Sequence, residues 1–208
     1  MLPRIALGTT LLALTLALGA CNSGDGYGYG GSYGGSGGDA GVGGSEGGSA
    51  AVEGASMFLQ RNLHADENNR TYTTNYQFPT LIPMGTPVRI DSQNRKVVKF
   101  TRLDTNQQFT FLKTKHLRES YEETQAKYFG SEDPTPKIAE LSEVDQQGIS
   151  QGMALEGMTK EGVLYACGYP PDHKTPSLDS NQWRYWTTKM RTQLVFFDEN
   201  GVVTRIQN

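Results

Sequence analysis

The chain has 208 residues, of which 36% are hydrophobic, and 19 Lys and Arg against 22 Asp and Glu give a formal net charge of −3. That length allows one domain or two small ones. A chain that neutralises phosphates needs clustered Lys and Arg, so the missing basic excess excludes nucleic acid as a partner.

Residues 1–20 carry Arg4 and then an uncharged apolar run over residues 5–18. The run suits the core of a signal peptide and is too short for a transmembrane span. Leu18-Gly19-Ala20-Cys21 resembles the bacterial lipobox. The resemblance implies cleavage before Cys21, a diacylglycerol on its sulfur and acylation of its new amino group. One acyl chain, at ~0.8 kcal/mol per buried CH₂, holds a protein only marginally, whereas several on one residue anchor it stably. Asn22 stands where the inner-membrane retention signal has Asp, which favours the outer membrane. Residues 21–56 hold more than half of the 25 glycines, with Tyr27, Tyr29 and Tyr33 as the only large side chains. Such a segment cannot build a core and reads as a flexible tether with a root-mean-square span of roughly 30 Å.

Strand signals follow at residues 72–77, 81–90, 97–103 and 109–113, where β-branched and aromatic residues alternate with turn residues. Pro83-Met84-Gly85-Thr86-Pro87 interrupts the second of them. Tyr72-Thr73-Thr74-Asn75-Tyr76 followed by Leu81-Ile82-Pro83, Gly85-Thr86 and Val88 resembles a bacterial SH3-like barrel. Leu117, Tyr121, Thr124 and Tyr128 then recur at helical spacing, Gly130 ends that helix, and Pro134 and Pro136 mark a hinge.

The last third is punctuated most clearly. Ser142 and Asp145 frame a helix over residues 142–150, and Thr159 caps a second helix of about two and a half turns at ~3.6 residues per turn. Met158 and Val163 are spaced as a hydrophobic staple, Gly168 is expected as the left-handed C-terminal residue, and Pro170 and Pro171 stop the helix. Strands are expected over residues 182–187, 192–198 and 202–206, the last two joined by a hairpin at Asn200-Gly201. The run Ile149, Gly152, Gly157-Met158-Thr159, Val163, Gly168, Pro170, Trp183, Tyr185, Val195, Phe197, Gly201-Val202-Val203 and Ile206 resembles the SmpA/OmlA (BamE-like) family of outer-membrane lipoproteins. It departs from that family at Cys167.

These readings together give an α+β chain with a signal peptide (1–20), a tether (21–56), an SH3-like β-barrel domain with a trailing helix (57–133) and a two-helix, three-stranded antiparallel sheet domain (134–208). The resemblance implies a non-catalytic outer-membrane lipoprotein, anchored through Cys21 with its folded part in the periplasm. It would serve as an adaptor or structural component of the cell envelope, in the assembly of outer-membrane proteins, and bind an envelope protein partner. The alternative is a lipoprotein that binds peptidoglycan through the SH3-like module. No cofactor or metal site is expected. His64, His116 and His173 lack ligand spacing, Asp172, His173 and Ser177 lack a nucleophile elbow, and Cys167 is expected as a buried small hydrophobe rather than a nucleophile. Trp183, Tyr185 and Trp186 are the candidate partner surface. Strand alternation places Trp183 and Tyr185 on one face and Trp186 on the other, so one face is core and the other is available to a partner.

Overall fold

Alternation of apolar and polar side chains over residues 87–112 builds the largest sheet in the computed structural model, which describes residues 51–208. Val88 and Ile90 of β5 (Pro87–Gln93), Val98 and Phe100 of β6 (Val97–Arg102), and Phe109 and Phe111 of β7 (Gln108–Leu112) are all buried. This three-stranded meander gains β1 (Ser56–Leu59) and β8 (Phe129–Gly130) on one side and β3 (Arg70–Tyr72) on the other, giving the order β3-β7-β6-β5-β1-β8. Every pairing is antiparallel except β3 with β7. A separate pair joins β2 (Leu63–Ala65) to β4 (Thr80–Ile82). Helix α1 (Tyr121–Tyr128) turns Tyr121 and Tyr128 onto Phe111, starting at a capping box between Ser120 and Glu123.

Two short helices lead into the last third, α2 (Thr135–Ala139) and α3 (Glu143–Gln151). Helix α4 (Lys160–Cys167) follows, and then a sheet in the order β11-β10-β9, with β9 (Gln182–Trp186), β10 (Thr192–Phe197) and β11 (Val203–Gln207). One buried carboxylate organises both helix starts. Asp145 Oδ1 accepts from Thr159 N at 2.8 Å and Oδ2 accepts from Ser142 Oγ at 2.7 Å, while Thr159 Oγ1 accepts from Gly162 N at 3.0 Å. Met158 and Val163 are fully buried, as a staple requires.

The described residues belong to one compact unit whose apolar interior is in two parts. The first lies between Ala51 and Phe129 and is rich in Phe and aliphatic residues. The second takes Ile149, Met158 and Val163 from the helices and Trp183, Tyr185 and Val195 from the strands. No helix among the described residues is long and apolar enough to cross a membrane. The segment expected as a signal peptide, Cys21 and most of the expected tether lie outside the described residues.

The structure is α+β, and it differs from the sequence reading at several joints. The strand expected over 72–77 ends at Tyr72, because Asn75 takes φ 46° and turns the chain. Leu117 precedes α1 rather than belonging to it, and Phe129–Gly130 continues as a strand beside β1 where a helix stop was expected. Pro136 falls in the first turn of α2, a position that needs no N–H partner, so the expected hinge is a helix start. In the β10–β11 turn, Gly201 takes φ 76° but Asn200 does not take positive φ.

The joint between the two cores is polar, and the end of α4 is bonded across it. A helix leaves its last carbonyls without partners, and in α4 these are met from outside. Asn62 N donates to Tyr165 O at 3.0 Å, Asn62 Nδ2 to Ala166 O at 3.2 Å, and Asn75 Nδ2 to Cys167 O at 2.7 Å. Tyr185 Oη donates to Gly168 O at 3.0 Å. Gly168 therefore has φ 74° and ψ −168°, not the left-handed helical values expected, so that its carbonyl reaches Tyr185. This region is open in practice only to glycine.

Candidate binding site

Because β3 and β7 run parallel, with Tyr72 opposite Leu112, both strands release their chains at the same rim of the sheet. The β3 exit supplies Tyr72 and Tyr76, and the β7 exit supplies Lys113, Lys115 and His116. Three threonines clamp the exits together. Thr73 and Thr114 hydroxyls lie 2.9 Å apart, Thr74 Oγ1 donates to Thr114 Oγ1 at 3.1 Å, and Thr114 N donates to Thr73 Oγ1 at 3.0 Å.

The opposite wall comes from the last third of the chain. Loop 169–181 presents His173 and Lys174, and is tied to β9 where Arg184 N donates to Thr175 Oγ1 at 3.0 Å. Trp186 ends β9, and the following hairpin loop, closed by Thr187 N donating to Arg191 O at 3.0 Å, brings Lys189 to the same cleft. The result is an open cleft of about 670 Å³. Tyr72 and Tyr76 meet edge to face with centroids 5.6 Å apart, and Phe78 closes the cluster at 5.4 Å from Tyr76.

Trp183 and Tyr185 do not line this cleft. They are 0% and 1% exposed in the second core, Trp183 against the Phe197 ring at 4.7 Å, so neither belongs to a partner surface. Trp186 alone of the three reaches the surface, where it is partly buried. Alternation along β9 gives this outcome: one face lies on the helices and the other faces the cleft.

His116 and His173, 57 residues apart in number, stack with centroids 4.9 Å apart at the rim, a contact that spacing in the sequence does not disclose. Burial first, and then the neighbouring His116 and Lys174, pull the His173 pKa below the ordinary histidine value. Among the described residues no three His, Cys, Asp or Glu side chains are grouped to hold a metal. Ser177 Oγ donates to Asp179 Oδ2 at 3.1 Å, leaving no Asp172–His173–Ser177 relay. Cys167 is 1% exposed, and burial pushes its thiol up to about 12, so the thiolate that nucleophilic attack needs is not populated at neutral pH. Gln77 Nε2 lies 3.8 Å from its sulfur, and the Ala154 main chain is a second polar neighbour.

Neither a protein-family model nor a curated protein nor a solved structure matches the chain.

Proposed function

We propose that this protein is a non-catalytic, lipid-anchored adaptor of the bacterial cell envelope, attached to the outer membrane through Cys21 and binding an envelope protein partner at the cleft between Tyr72 and Trp186. The observation that carries the reading is the division of the aromatic strand. Trp183 and Tyr185 complete a core, while Trp186, partly buried, lines an open cleft together with Lys189. Partly buried aromatic residues beside cations are typical anchors for a partner.

The SmpA/OmlA-like run supports the envelope role. In this chain it lies on α3, α4 and a three-stranded antiparallel sheet, the element order that the resemblance implies. The lipobox-like Leu18-Gly19-Ala20-Cys21 supports the anchor, and the tether would let the folded part reach roughly 30 Å from the membrane. The role within the envelope is support for the assembly of outer-membrane proteins. The tyrosines and lysines that the SH3-like segment contributes to the cleft favour a second reading, in which the same protein holds peptidoglycan.

Crosslinking in living cells from a photoreactive residue at position 186 tests the adaptor reading. It predicts a discrete envelope-protein adduct that disappears when the crosslinker is moved to the buried position 183. Adducts only to peptidoglycan would favour the second reading, and no adduct at all would remove the proposed site. The anchor has its own test: Cys21→Ser should leave the protein soluble or as uncut precursor. Unchanged fractionation with outer membranes would contradict lipidation.

A further inference from the structure

Lys113, Lys115, Lys174 and Lys189 converge on the cleft, and no carboxylate lines it. The chain as a whole is acidic, with a net charge of −3, so this is a local concentration of positive charge. The ion pairs of the described residues are made by other side chains, leaving these four ammonium groups without a carboxylate partner there. A concave wall of one sign focuses its field on whatever enters.

Lys189 also borders a neighbouring groove of about 520 Å³ lined by Phe78, Pro79 and Met190. Met190 is 91% exposed at the tip of the β9–β10 hairpin, an unusual place for a large apolar side chain. Two acids lie on this groove, Asp66 and Glu67, and Asp66 is already held by Arg70 Nε at 2.9 Å and Tyr72 Oη at 3.1 Å. Cationic cleft and apolar groove thus run side by side.

The main chain around the cleft narrows the choice of occupant. Docking by strand addition needs unpaired backbone groups. Here Thr73 N donates to Leu112 O, Lys113 N to Lys96 O and Thr187 N to Arg191 O, and Thr114 N is taken by Thr73 Oγ1. An occupant lying across these groups satisfies its own backbone, as an α-helix does, while the outer edge of β9 carries no neighbouring strand. A polyhydroxylated glycan could place acids on the lysines but would set hydroxyl groups against Phe78 and Met190, where they lose water without gaining partners.

We propose that cleft and groove together bind an acidic amphipathic helix of the partner protein, with Asp or Glu side chains on the four lysines and an apolar stripe over Trp186, Phe78 and Met190. The proposal rests on the reading of the cleft as a partner site and adds the chemistry of that partner.

The test uses the full chain and a synthetic helical peptide with Leu at i, i+3, i+4 and i+7 flanked by Glu. The protein has two tryptophans and Trp183 is fully buried, so Trp186 emission reports occupancy. The Leu/Glu peptide should give a saturable change in emission that weakens with added salt. Lys113→Glu combined with Lys189→Glu should weaken it about tenfold, as should Gln in place of Glu in the peptide. Ser in place of Leu should abolish it, and Met190→Ser should reduce it. Failure of the Leu/Glu peptide to bind overturns the proposal, as does indifference to the double lysine reversal. Equal binding of polygalacturonate or of the Ser peptide would also overturn it, since charge alone would then suffice. If position 186 still crosslinks to an envelope protein while the peptide fails, the inference falls and the adaptor reading stands.

Discussion

Two polar regions of the fold differ in how completely their groups are paired. At the joint between the cores, Asn62, Asn75, Gly168 and Tyr185 use their polar atoms on one another and on the last carbonyls of α4. At the cleft, Lys113, Lys115, Lys174 and Lys189 have no carboxylate lining the wall with them. Polar groups that are buried and paired fix a structure, whereas charges gathered together and left unpaired destabilise it slightly through their repulsion. The joint is therefore structural, and the cleft has the character of a site that a partner completes.

The largest break in that comparison should come from Gly168→Val. A Cβ there would stand 2.7 Å from Tyr128 Oη and 2.8 Å from Asn75 Nδ2, on a backbone at φ 74°. Strain and overpacking together should cost about 4 kcal/mol or more, read as early chemical unfolding. Normal stability would mean that the joint yields more easily than its bonding implies.

Asn62→Ala should come next. The side chain is fully buried, donates to Ile149 O at 2.7 Å and Ala166 O at 3.2 Å, and accepts from Met84 N at 2.7 Å. Its removal strands Ala166 O and Met84 N, while Ile149 O keeps its bond from Gly152 N, for about 3 kcal/mol. An Asn62→Asp variant that unfolds like wild type would show that water already reaches the joint.

A smaller, graded effect is expected with pH. His64 is 5% exposed where β2 meets Gly152, its Nδ1 lies 3.0 Å from Phe78 O, and its Nε2 is buried without a hydrogen-bonding partner. Burial is the main cause that lowers its pKa from the ordinary 6.5. The unfolded chain then binds the proton more readily, so stability is full above pH 6.5 and falls as pH drops from there through the lowered value. His64→Gln should flatten this dependence in pH-resolved denaturation curves. An unchanged slope would place the titrating group elsewhere.

Legibility in the sequence follows the range of the forces involved. Helix α4, with Thr159 before it and Gly168 after it, and the β10–β11 turn at Gly201 are set by neighbours within a few residues, so caps and turn residues expose them. Strands β1 and β8 pair residues about seventy positions apart, Phe58 with Gly130 and Leu59 with Phe129, and nothing local marks so short a piece. Asn75 reads as part of a strand, yet it turns the chain because its side chain is needed by Cys167 and Asn62. Of the site, alternation along β9 separates Trp186 from Trp183 and Tyr185. The lysines and the His116–His173 stack stay hidden, because the parallel β3–β7 pairing and loop 169–181 bring them together.

The smallest expected effect on stability belongs to Trp186→Ala, and it tests the central claim most directly when unfolding and partner crosslinking are measured on the same sample. Trp186 is partly buried on the cleft face of β9. The variant should lose no more than about 1 kcal/mol against wild type, well short of the cost of truncating a core aromatic, and lose its envelope-protein crosslinks from a photoreactive residue at position 189. An early-melting variant would make Trp186 a core residue, and a stable variant with undiminished crosslinking would show that the cleft is not where the partner binds.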